Sequence, residues 1–140
     1  MKEKLFDLEI ITPLKIIYQH QVKYIRLPGA EGYIGIMANH APLVTTLRIG
    51  EIKIDQGDET KYFATSGGTV EVLPHKTTVL VETAEEATQI DVERAIYAKE
   101  RAKRRMTEKV PGTEIERAKD AWFRAENRLK VAKKATKSSD

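Results

Sequence analysis

The sequence predicts an α+β protein: an antiparallel β-sandwich over residues 1–84, then a two-helix antiparallel hairpin over 85–140. Three observations carry this. Up to residue 84, short runs rich in Val, Ile, Tyr and Thr sit between Gly, Pro and Asp, the texture of strands and turns. After residue 90 the apolar residues recur every three or four positions, the period of an amphipathic helix. The charge also divides. Residues 1–90 hold nine Lys/Arg against twelve Asp/Glu, a balance of −3, whereas 91–134 hold fourteen against eight, a balance of +6. Such asymmetry points to two modules, the second of which meets something acidic.

Strands are expected over 5–12, 15–19, 21–28, 32–37, 43–47, 50–56, 61–66, 68–73 and 76–83. Within several of them alternate residues are apolar, as with Ile52 and Ile54 against Lys53 and Asp55, so one face is buried and the other solvated. The segment QGDET at 56–60 reads as a hairpin loop and Pro74-His75 as a tight turn. Many short strands at close spacing indicate a sandwich, and about 85 residues suffice for one small core. Residues 85–89 read as a polar link.

Helices are expected over about 90–108 and 114–134. Pro111 and Gly112 stop the first, and Thr113 with Glu116 has the spacing of a capping box for the second. The apolar stripes are Val92, Ala95/Ile96, Ala102 and Met106, and Ile115, Ala118, Trp122, Ala125, Leu129 and Ala132. A short connection folds the two back as a hairpin. Thin, alanine-rich stripes bury little apolar area, and at ~25 cal/mol per Å² such a hairpin is marginal alone. A few kcal/mol of differential binding would therefore redistribute its states. The tail KKATKSSD is expected to fray.

Composition narrows the function. With no cysteine there is no disulfide framework, thiol nucleophile or Cys-based zinc site. No run of 18 apolar residues is present to span a bilayer. The N-terminus MKEKLFDLEI lacks the apolar core of a signal peptide and reads as folded structure of an interior protein. Gly29, Gly32 and Gly35 recur every third residue, but neither a P-loop nor GxGxxG follows, so close strand packing is the default. His20, His40 and His75 lack ligand spacing, and Ser66 lies in no nucleophile elbow. No catalytic constellation is present, and the chain is not expected to be an enzyme.

The opening of the first helix, IDVERAIYAKERAKRR at 90–105, sets Asp91, Arg94 and Arg101 on one face. Arg124 and Arg128 share a face of the second helix. Folded antiparallel, the hairpin can bring the two pairs level. Four guanidiniums offer paired planar donors that suit phosphate oxygens; without an anion they repel and favour opening. Asp91 equally fits an N-cap, and Asp91–Arg94 an ordinary intrahelical ion pair of ~0.3 kcal/mol.

The chain resembles the ε subunits of bacterial F-type ATP synthases over nearly its whole length. The resemblance lies in LPGAEGYIGIMANHAPL at 27–43, SGGTVEV at 66–72 and the order of sandwich and hairpin. It implies a sandwich of about ten strands that binds the γ subunit at the foot of the central stalk and contacts the c-subunit ring. It implies a hairpin that lies folded or extends toward the α and β subunits, where its basic residues meet an acidic segment and restrain ATP hydrolysis. IDVERA at 90–95 is similar to the family's ATP-binding motif. That implies Ile90, Asp91, Arg94 and Ala95, with Glu85, Arg101, Arg124 and Arg128, as a site where ATP acts as a regulatory ligand and no cofactor is required. Ala95 would leave room for the nucleotide, carboxylates and backbone from 85 to 91 would read the adenine amino group, and the arginines would hold phosphates. The expected location is peripheral, on the cytoplasmic face of the bacterial membrane, with membrane association only through the complex. The rival reading is a nucleic-acid-binding module with a basic hairpin. Against it, Glu interrupts the positive charge at nearly every turn, and the hairpin has few aromatic residues (Tyr97, Trp122, Phe123). A small β-sandwich enzyme would be a third reading, but it has no candidate catalytic pair.

Overall fold

The computed structural model describes residues 4–108 and 114–137. It divides into two compact units, 1–86 and 87–140.

Among the described residues the first unit contains ten strands: β1 Phe6–Ile11, β2 Ile16–Val22, β3 Tyr24–Gly29, β4 Gly32–Ile36, β5 Leu43–Leu47, β6 Gly50–Asp55, β7 Thr60–Thr65, β8 Gly68–Leu73, β9 Lys76–Val81 and β10 Ala84–Glu86. Hydrogen-bonded neighbours run β10-β7-β6-β3-β5-β8-β9-β1-β2, with β4 on the other side of β3. The fold-over into a sandwich occurs at β3. Tyr24 to Arg26 pair with β6, whereas Gly29 pairs with Leu47 of β5. One strand thereby serves both layers, and its Ile25 and Leu27 are fully buried. The period-2 alternation is realised in β1, where Phe6, Leu8 and Ile10 are buried, and in β6 with Ile52 and Ile54. These residues with Val70, Val72 and Val79 form the core of one contiguous cluster.

Several strand expectations change. The break near 20 moves to Lys23, because β2 stays paired with β1 out to Phe6–Val22, where Val22 is fully buried. All described pairings are antiparallel except β1 with β9, which run parallel. Their directions are fixed by their own hairpin partners, β2 and β8. The supposed polar link at 85–89 is structured: β10 pairs with β7, Glu85 opposite Ala64, and Ala87–Gln89 form a short 3-10 helix. Ala84 and Ala87, both buried, anchor this segment, and its polar composition hid them.

The two sandwich motifs that carry the resemblance are backbone devices. In SGGTVEV, a Cβ on Gly68 would lie 2.0 Å from the Leu80 carbonyl oxygen, so only glycine permits β8 and β9 to approach. The Thr65 hydroxyl accepts from Gly67 N at 3.1 Å, and Ser66 Oγ accepts from Thr83 N at 3.1 Å. In MANHAPL, Asn39 takes a left-handed φ of 66° and donates its N–H to the Pro74 carbonyl at 2.6 Å. His40 Nδ1 lies 2.7 Å from the Ala41 carbonyl oxygen, a structural bond.

The second unit has helices α1, Val92–Glu108, and α2, Ile115–Lys137, which pack against each other. The turn expected at VPGT, 110–113, and the Thr113 cap lie outside the described residues. The facing residues are Ala95 and Ala102 of α1 and Ala118 and Ala125 of α2, all nearly fully buried. Small side chains here let the backbones come close. Val92, Ile96 and Ile115, expected on the stripes, are about half exposed. Val131, which lies off the expected stripe, is fully buried on a second side of α2, the helix against which the 3-10 segment packs.

Candidate anion site on the helical hairpin

The local sequence fixes the start of α1. Asp91 Oδ1 accepts the Arg94 backbone N–H at 3.0 Å, while the Asp91 carbonyl takes Ala95 N at 3.0 Å. Asp91 is therefore the N-cap, and its negative charge lies at the positive end of the helix dipole. Ile90, just before it, is buried and donates to the Ala87 carbonyl at 3.5 Å. Ala95 occupies the line of contact with α2, so its small size serves helix packing directly.

The arginines take their places from helical geometry. At about 100° per residue, Arg94 and Arg101 lie roughly 100–120° to one side of Ala95. By the same count, Arg124 and Arg128 lie roughly 60–100° from Ala125 in the same rotational sense. Viewed along one axis, the sense reverses for the antiparallel partner, so both pairs face one flank of the hairpin. The level comes from Lys99, whose ammonium reaches both Glu126 and the Trp122 ring. That register puts Arg128 about level with Ala95 and Arg124 near Arg101. Arg94 and Arg101 are exposed; Arg124 and Arg128 are half-buried. Arg105 and Arg117, which the sequence reading left out, fall on this same flank, and a helical projection of each helix would have found them. Arg117 engages Glu114 at 3.7 Å. Lys103, Lys119 and Lys133 fall on the opposite flank. Planar paired donors thus concentrate on one flank, where an oxyanion could be held.

Glu85 belongs to β10 of the sandwich unit, opposite Ala64. Among the described residues no group of His, Asp and Glu is arranged to hold a metal. No described helix is long and apolar enough to cross a membrane.

The sequence reading also missed the polar contact between the helices. Lys99 forms an ion pair with Glu126 and stacks over Trp122 at 5.4 Å from the ring centroid. Lys130 approaches the other Glu126 oxygen at 4.0 Å. Lys99 holds the Glu126 carboxyl below the usual glutamate range by hydrogen bonding, against a smaller desolvation effect. The signal was present: the stripe 92, 95/96, 102, 106 skips its middle member, which is Lys99.

Comparison with known proteins agrees with this architecture. The family description "ATP synthase, Delta/Epsilon chain, beta-sandwich domain" matches residues 5–87. The companion "long alpha-helix domain" matches 88–133. An ATP synthase epsilon chain of Desulforamulus reducens is 43% identical over 125 residues, covering 89% of this chain and 95% of that one. The epsilon chain of Syntrophomonas wolfei is 43% identical over 135 residues, covering 96% and 98%. Among solved structures, a chain of the Euglena gracilis mitochondrial ATP synthase superposes with a TM-score of 0.68 at 19% identity, covering 97% of this chain and 82% of that one. A chain from the central stalk and c-ring of the Tetrahymena thermophila mitochondrial enzyme gives 0.57 at 19% identity, covering 97% and 99%. These two show a shared fold. With both halves matched in order and relatives above 40% identity along almost the full length, the chain belongs to the epsilon-chain family of F-type ATP synthases, a non-catalytic subunit of that complex.

Proposed function

We propose that this chain works in the central stalk, where its sandwich binds the γ subunit and the c-subunit ring and its hairpin governs ATP hydrolysis. Opened toward the α and β subunits, the basic helices meet an acidic surface and restrain hydrolysis. Folded, the hairpin binds ATP as a regulatory ligand, so that a high ATP level favours the closed state. Arg94, Arg101, Arg124 and Arg128 hold the phosphates, and Ile90, Asp91 and Ala95 form the remainder of the site on the hairpin. The chain sits on the cytoplasmic face of the membrane and reaches it only through the complex. It needs no cofactor and does not act on nucleic acid.

The observation that supports this most is the gathering of two arginine pairs on one flank of the hairpin. Like charges gathered there repel and lower the stability of the closed form, and a polyphosphate reverses the effect. The test is a titration of the full chain with ATP, alongside ADP and GTP, followed by calorimetry and Trp122 fluorescence. Saturable binding that prefers ATP is expected. Absence of binding up to millimolar ATP would remove ATP from the mechanism and leave regulation to the partner subunits.

A further inference from the structure

Glu126 sits between two lysines of different kinds. Lys99 belongs to the other helix and reaches it only while the helices are together. Lys130 is one turn further along α2 and approaches at 4.0 Å, a contact that needs no second helix. Lys133, also on α2, adds to the positive field at the carboxylate. The two contacts differ in quality. Lys99 is about one-third exposed and is additionally held over the Trp122 ring, whereas Lys130 is 71% exposed. The closed hairpin therefore favours Lys99.

We propose that Glu126 is the exchange point of an ion-pair switch: Lys99 holds it in the closed hairpin, and Lys130 takes it when the helices separate. Separation of a half-buried ion pair ordinarily strands one charge without a partner, which makes the open state expensive. Here the glutamate is never stranded. Lys99 moves into solvent, where a long ammonium side chain is well hydrated, and Glu126 stays paired on its own helix. The closed state keeps a specific lock, while the barrier of an orphaned carboxylate is removed. The lock faces away from the arginine flank, so ligand at the arginines and exchange at Glu126 are separate inputs to one equilibrium. The inference rests on the proposed opening of the hairpin, and the test separates the two.

The absence of cysteine makes that test direct. Lys103→Cys and Lys119→Cys lie about level on exposed positions of the two helices and can be spin-labelled in the full chain. Interlabel distances then report a short, closed and a long, open population. K99Q is expected to raise the open-to-closed ratio about two- to fivefold, and K130Q to lower it by a similar factor. In an E126Q background K130Q should have no effect. Far-UV circular dichroism of each variant confirms that helix is retained. Two populations that ignore K99Q and K130Q would overturn the exchange while leaving opening intact. An effect of K99Q with none of K130Q would reduce Lys99 to a simple clasp and also overturn it. A single short distance in every variant would overturn opening and exchange together.

Discussion

Glu126 shows how one carboxylate can tie a small helical unit to pH. Its folded-state pKa is depressed, first by the hydrogen bond from Lys99. A group of this kind contributes stability that is present above its unfolded pKa and is lost as pH falls through the lower folded value. The hairpin should therefore weaken on the acid side of the ordinary glutamate range, near and below about pH 4. E126Q, which has no carboxyl to protonate, should show a smaller acid-side loss, a difference of about a few degrees in the helical melting transition. Equal acid sensitivity in the two proteins would mean that other carboxylates carry the effect. The arginines make a different prediction at the same scale. Arg94→Ala or Arg101→Ala should weaken ATP binding about tenfold or more, since each would remove charge-assisted hydrogen bonds to phosphate. Binding to γ, measured by co-purification, should be unchanged, since the proposed γ interface lies on the sandwich and not on the hairpin. Loss of both together would mean that the division of labour between the units is wrong.

At the scale of elements, the two units are held by different physics. The β8–β9 hairpin depends on close backbone approach at Gly68, where a Cβ would strike the Leu80 carbonyl. A carbonyl in a ladder cannot turn aside without losing its bond. Gly68→Ala should therefore destabilise the sandwich by about 3 kcal/mol or more, read from urea unfolding. A loss below about 1 kcal/mol would show that β9 can shift to make room. The helical pair instead has Ala95, Ala102, Ala118 and Ala125 at its centre and the Lys99–Glu126 ion pair at its edge. Alanine contacts allow close approach but bury little area, which suits the proposed opening of the pair.

Across the whole molecule, charge and architecture coincide. The acidic half is the sandwich, built on a continuous core; the basic half is the hairpin, with six arginines gathered on one flank. The proposed regulation fits a basic unit held by thin alanine contacts, because ligands worth a few kcal/mol can redistribute such a unit without unfolding the other.

The sequence by itself determined the two periodicities, and with them the order of sandwich and hairpin, most strand positions and the capped start of α1 at Asp91. It could do so because alternation, helical period and turn chemistry are local properties of the chain. It also identified four of the six arginines on the flank, since spacing within a helix fixes the face. Tertiary structure alone decided that 85–89 is a strand end and a 3-10 turn, because Ala84 and Ala87 become core residues only where the fold covers them. It alone paired β1 with β9 in parallel, a contact between strands nearly seventy residues apart that no local pattern encodes. And it alone joined Lys99 to Glu126. A lysine on an apolar stripe marks an irregularity, but which acid meets it depends on the register of two helices, and that is set by packing between them.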